Sequence, residues 1–154
     1  MPNLAQELIS YAERGQMLSA MQVSRFSPSE IRLAIQTLMA EDRDALAYAL
    51  GDAGLALHPD SEDIVAITSL LAVMREDWPQ AVDLLRQLME MQGGQATVFT
   101  HAMLIRSLRC DLELAAAFDA AREGLAQFPD HPELLKEYDA LAATLGLGAV
   151  STTH

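Results

Sequence analysis

Between Glu62 and Met74 the chain is apolar almost all the way round, with Ile64, Val65, Ile67, Leu70, Leu71, Val73 and Met74. A helix with that pattern has to be covered on several sides. After a tight turn at Arg75-Glu76-Asp77, a second helix runs from Trp78 to Met91. It is amphipathic: Trp78, Ala81, Val82, Leu85, Leu88 and Met89 recur at three- and four-residue steps, and Asp83, Arg86, Gln87 and Glu90 fall elsewhere. A hairpin whose first helix needs burial on two sides predicts a further hairpin before it and another after it.

Helix starts and stops extend that prediction to the whole chain. Asn3 caps a first helix. Ser27-Pro28-Ser29-Glu30 is a capping box with Pro in the first turn. Asp77-Trp78-Pro79-Gln80 and Asp130-His131-Pro132-Glu133 repeat the device, and Asp111 is expected to cap another helix. Stops stand at Gly15, Gly93-Gly94 and Gly146. The pattern predicts nine helices, over 3–14, 16–25, 28–40, 44–57, 62–75, 78–91, 95–109, 112–127 and 132–145, with a frayed tail at 148–154.

The helices pair and the pairs recur. Gly54-Leu55-Ala56-Leu57-His58-Pro59-Asp60 returns 70 residues later as Gly124-Leu125-Ala126-Gln127-Phe128-Pro129-Asp130. Halfway between, Leu88 to Gly94 closes the same helix end with glycine, so the period is near 35. Small residues keep the step: Ala47 to Ala81 is 34 and Ala81 to Ala117 is 36. A period in that range is the signature of stacked helix pairs.

Composition narrows the function classes. Scarce aromatic residues, at 5%, with abundant Ala and Leu favour packed helices over sheets. No apolar run reaches the ~18–20 residues of a bilayer span, and the start lacks a secretory pattern. The single cysteine, Cys110, excludes an intrachain disulfide and fits a reducing cytoplasm, the expected location. A net charge of −12 makes nucleic acid and anionic membrane unsuitable partners. It leaves open a generic acidic surface or a basic or apolar protein partner.

In these motifs the chain resembles the tetratricopeptide repeat proteins. The second helix of that repeat carries an alanine early, an apolar residue four later, a small residue three after that, and a Pro beyond the helix. Ala47-Gly51-Gly54-Pro59 and Ala117-Ala121-Gly124-Pro129 follow it, and the central unit keeps Ala81, Leu85 and Leu88 without the Pro. The first-helix Trp, Gly and Tyr of the family are absent, Val65, Ser69 and Ala72 standing there. The resemblance implies an all-α fold, a right-handed stack of antiparallel helix pairs closed by a C-terminal capping helix. It implies one domain over 1–147: a degenerate N-terminal pair at 1–26, then three repeats and the capping helix at 27–147.

Chemistry is sparse. His58, His101, His131 and His154 show no metal-ligand spacing, Gly93-Gly94 is no phosphate loop, and the carboxylates sit where capping explains them. Cys110 has no adjacent histidine and reads as a small buried hydrophobe or a reactive thiol. We therefore expect no enzyme, no metal and no cofactor.

Surface for binding remains. In the family the first helices of each pair line a concave face, which here implies Arg32, Gln36 and Met39 beside Ala66, Leu70 and Val73, and Phe99 beside Ala102, Arg106 and Arg109. Such a face is apolar in the middle with Arg at both ends. It suits an amphipathic helix or extended peptide with acidic flanks; otherwise Leu70 and Val73 simply pack on the next pair. Leu18, Met21 and Val23 offer an edge through which a homodimer is one available partner. Two functions follow. One is a cytoplasmic chaperone or adaptor holding an aggregation-prone segment. Arg75 to Arg86 is similar to a phrase of the small type III secretion chaperones, needle and Hrp-type relatives among them, and one common in tetratricopeptide proteins at large. The other is a scaffold or regulatory subunit of a larger assembly.

Overall fold

The computed structural model describes residues 3–13 and 20–147, and among these every regular element is helical. The helices are α1 (Leu4–Glu13), α2 (Ala20–Val23), α3 (Pro28–Ala40), α4 (Asp44–Leu57), α5 (Glu62–Met74), α6 (Trp78–Gln92), α7 (Val98–Cys110), α8 (Leu114–Gln127) and α9 (Pro132–Thr144). Two compact units divide the chain, Met1–Leu71 and Ala72–His154, with the boundary inside α5.

In the first unit α3 begins as its sequence dictates. The Glu30 amide donates to Ser27 Oγ at 3.2 Å and the Ser27 amide donates to Glu30 Oε1 at 3.0 Å. Asn3 and Gln6 make the same reciprocal pair ahead of α1, at 2.9 and 3.3 Å. Ile31, Ile35 and Leu38 of α3 are fully buried with Leu50 of α4 and Ile64 of α5, and Leu4, Ala5 and Leu8 of α1 close over them. Each such side chain contributes roughly 1.5–3 kcal/mol by leaving water. α4 meets α5 through glycine: a Cβ on Gly51 would stand 2.7 Å from Leu71 Cδ1. Arg25 grips Glu7 with both carboxylate oxygens, at 2.8 and 2.9 Å, tying the end of α2 to α1.

In the second unit α6 buries Ala81, Leu84, Leu85 and Leu88, and α7 answers with Leu104, Ile105 and Leu108. Phe118 of α8 stacks on Tyr138 of α9, ring centroids 4.9 Å apart. The buried hydroxyls are satisfied: Ser107 Oγ donates to the Met103 carbonyl of its own helix at 2.8 Å, and Thr100 Oγ1 donates across to Gln92 Oε1 at the end of α6 at 3.0 Å.

The repeat is written in the backbone. Asp42, Glu76, Leu112 and Gly146, spaced 34, 36 and 34 residues apart, all adopt positive φ, from 57° to 78°. Each closes its helix with the same two bonds. The amides of Arg43, Asp77, Glu113 and Leu147 reach the carbonyls of Leu38, Ala72, Leu108 and Ala142, and the positive-φ amides reach one residue further on. The recurring Gly-Leu-Ala phrase folds identically as well: His58 N donates to Gly54 O and Phe128 N to Gly124 O, both at 2.8 Å.

Four boundaries differ from the sequence reading. Asp111 does not cap α8; it closes α7 at its C-terminal end, and Glu113 precedes α8 without a side-chain bond. Asp130 does not cap α9, whose N-cap is His131, an extended residue with no side-chain bond. α7 starts at Val98 rather than 95, because Gly93–Gln95 forms a single 3-10 turn and Thr97 caps the helix, accepting from the Thr100 amide at 3.2 Å. α2 ends at Val23 rather than 25, and residues 16–19 of the predicted helix lie outside the described residues. The stop at Gly15 and the tail at 148–154 lie outside the described residues.

Candidate protein-binding surface

The predicted binding residues occupy four different situations. In the first unit Arg32 of α3 is half-buried, with Nη1 3.5 Å from Asp63 Oδ1 and its Nε buried without a partner. Gln36 is exposed. Met39 and Leu70 are half-buried against the core, and Ala66 is half-buried. Val73 at the end of α5 is 4% exposed and presents no surface. The packing alternative therefore describes Val73, and Leu70 in part.

The second unit gathers the most exposed groups on α7. Phe99 is 53% exposed, unusual for a phenyl ring. Ala102 and Met103 are half-buried one turn on, and Arg106 is exposed a turn beyond them, so steps of three and four residues put all four on one helix face. The Arg106 guanidinium lies 5.9 Å from the centroid of the Trp78 ring, and among the described residues no carboxylate pairs with it. Arg109 differs: its Nε and Nη2 donate to Glu137 of α9 at 3.1 and 3.3 Å, a bidentate pair that consumes the charge. Of the three predicted arginines, Arg106 keeps its charge free for a partner.

Among the exposed apolar groups that the sequence reading did not single out, one lies in a cleft. Leu33 is 56% exposed, in a cleft of about 460 Å³ between α1 and α3 lined also by Leu4, Phe26, Ala34 and Thr37. Its α5 counterpart, Ile67, is 5% exposed, so the residue type alone gives no warning. Val23, read as an exposed edge, is buried at 2% in the first core; Leu18 and Met21 lie outside the described side chains.

The remaining chemical groups are occupied structurally. His101 is 2% exposed, Nε2 stands 3.2 Å from Gln127 Oε1, and the ring meets Phe128 edge-on at 6.0 Å. Cys110 is half-buried. No three potential metal-ligating side chains converge among the described residues, and no described helix is long and apolar enough to cross a membrane. What α7 offers is non-covalent: an apolar ring, a flexible thioether and an unpaired guanidinium in a row.

No known protein family matches the chain as a family, and no characterised protein matches it by sequence. Solved structures do match in three dimensions. MamA AMB-1 superposes with a TM-score of 0.74 at 17% identity, over 95% of this chain and 82% of that one. MamA 41-end from Desulfovibrio magneticus RS-1 gives 0.71 at 11%, over 81% and 70%. The Assembly Chaperone of RpL4, Acl4, gives 0.56 at 14%, over 97% of this chain and 59% of that one. The fold of the chain is thereby the all-α, tetratricopeptide-like arrangement of antiparallel helix pairs that its period and its turns require.

Proposed function

We propose that the chain is a non-enzymatic protein-binding module that holds a partner polypeptide through exposed groups on the first helices of its pairs, those of α7 foremost. The row Phe99–Met103–Arg106 carries this reading: an exposed phenyl ring one helical turn from an unpaired guanidinium. A partner helix or extended segment with an apolar anchor and an acidic flank complements it. Arg32, Gln36, Met39, Ala66 and Leu70 supply such a face in the first unit, with Arg32 damped by Asp63. The likeness to MamA and to an assembly chaperone supports a binding role on this fold.

Within that role the chain acts as a chaperone or adaptor that keeps an apolar segment from self-association. A scaffold subunit is the second reading, since the same fold serves either. The narrowest reading, a type III secretion chaperone, is supported by the Arg75–Arg86 phrase alone and by none of the structural likenesses.

The test is quantitative affinity purification from the native host with Phe99→Ala and Arg106→Glu, their folding checked by circular dichroism. A partner held by α7 loses about tenfold in affinity, ~1.4 kcal/mol, on removal of the anchor ring. Charge reversal at Arg106 depletes partners with acidic flanks. Unchanged partners in both variants contradict the proposal.

A further inference from the structure

The second unit carries another groove, separate from the α7 row and used by nothing described so far. α6 and α8 form its sides, and Leu104 and Leu108 of α7 lie at its floor. Two adjoining hollows of about 260 and 200 Å³ share Arg86 and Ala116. Asp83, Asp111 and Glu113 rim the first, and Asp119 and Glu123 the second.

Arg86 is the single cation in either lining, and among the described residues neither it nor the five carboxylates make an ion pair. Asp111 and Glu113 stand in the turn between α7 and α8, where the carbonyl end of α7 disfavours a carboxylate and the amide end of α8 favours one. The walls, by contrast, include the half-buried apolar groups Val82 and Ala116, against which the methylene stem of a long basic side chain packs while its head stays among the carboxylates.

We propose that the α6–α8 groove docks a basic polypeptide segment, one lysine or arginine side chain entering each hollow. The groove is acidic on both rims, so an acidic segment or a nucleic-acid backbone is repelled from it. The carboxylates do not converge as a metal site does. The inference stands apart from the α7 row, which selects the opposite charge.

Fluorescence anisotropy of a dye-labelled amphipathic Leu/Lys peptide of about 14 residues, titrated with the full chain at low salt, reads the groove directly. Asp83→Lys combined with Glu113→Lys weakens binding about tenfold, and Arg86→Gln tightens it about threefold. Glu41→Lys combined with Asp60→Lys, exposed reversals on the first unit with the same net charge, changes the affinity less than about twofold, and Phe99→Ala leaves it unaltered. If the remote pair weakens binding as much as the groove pair, the peptide senses net charge only and the proposal is overturned. Failure of Arg86→Gln to tighten binding overturns it too; that exposed substitution keeps the test valid should the double reversal misfold.

Discussion

Leu112 holds a positive φ of 61° with its side chain 83% exposed. At that backbone angle a Cβ crowds the following carbonyl, and glycine relieves the strain. Leu112→Gly is expected to stabilise the chain by about 0.5–1 kcal/mol in urea denaturation, while Leu112→Ala, which keeps the Cβ, brings no such gain. A second residue-level effect belongs to Glu30. The Ser27 backbone and then its hydroxyl hold the Glu30 carboxyl below its ordinary value of 4.5. A depressed carboxyl contributes stability above its unfolded value and loses it as pH falls through the folded one. The advantage of wild type over Glu30→Gln, read as a difference in Tm, therefore declines as pH falls below 4.5 and through the lower folded value. The capping box was plain in the sequence, because Ser27 and Glu30 are three residues apart. The four recurring positive-φ helix ends were not: Asp, Glu and Leu fill three of them, and only Gly146 announces itself.

Helices were legible wherever their limits are local. α3 and α4 begin and end where capping and periodicity place them, at Pro28–Ala40 and Asp44–Leu57. Asp111 misled because a carboxylate before a helix looks like a cap, whereas here the preceding helix ends through backbone bonds from Leu112 and Glu113. What neutralises an arginine is invisible at this range: Glu137 stands 28 residues from Arg109, on another helix. Glycine spacing, on the other hand, encoded a contact. Gly51→Leu drives a side chain into the 2.7 Å approach to Leu71 and is expected to cost about 2 kcal/mol or more in thermal unfolding. Gly94→Leu, whose Cβ meets nothing within 4 Å, is expected to cost far less.

At the scale of the whole molecule, the period of 34 to 36 residues and the four matched helix ends agree, as expected of a sequence whose local and global preferences coincide. The fold was readable because burial repeats with the helices. The proposed binding face was readable only in part, because exposure depends on what neighbouring elements leave uncovered. Val73 is covered, Leu70 is half covered, and Phe99 is left open. On the proposed reading, partner recognition rests on few groups, as interfaces generally do. Its most direct test places a photo-crosslinking amino acid at position 99 of the chain in its host, with Ala126 on α8 as the comparison site. The account predicts a discrete crosslinked partner from position 99 that Arg106→Glu abolishes and position 126 does not give. Equal crosslinking from both sites, or a position-99 product indifferent to Arg106→Glu, would contradict it.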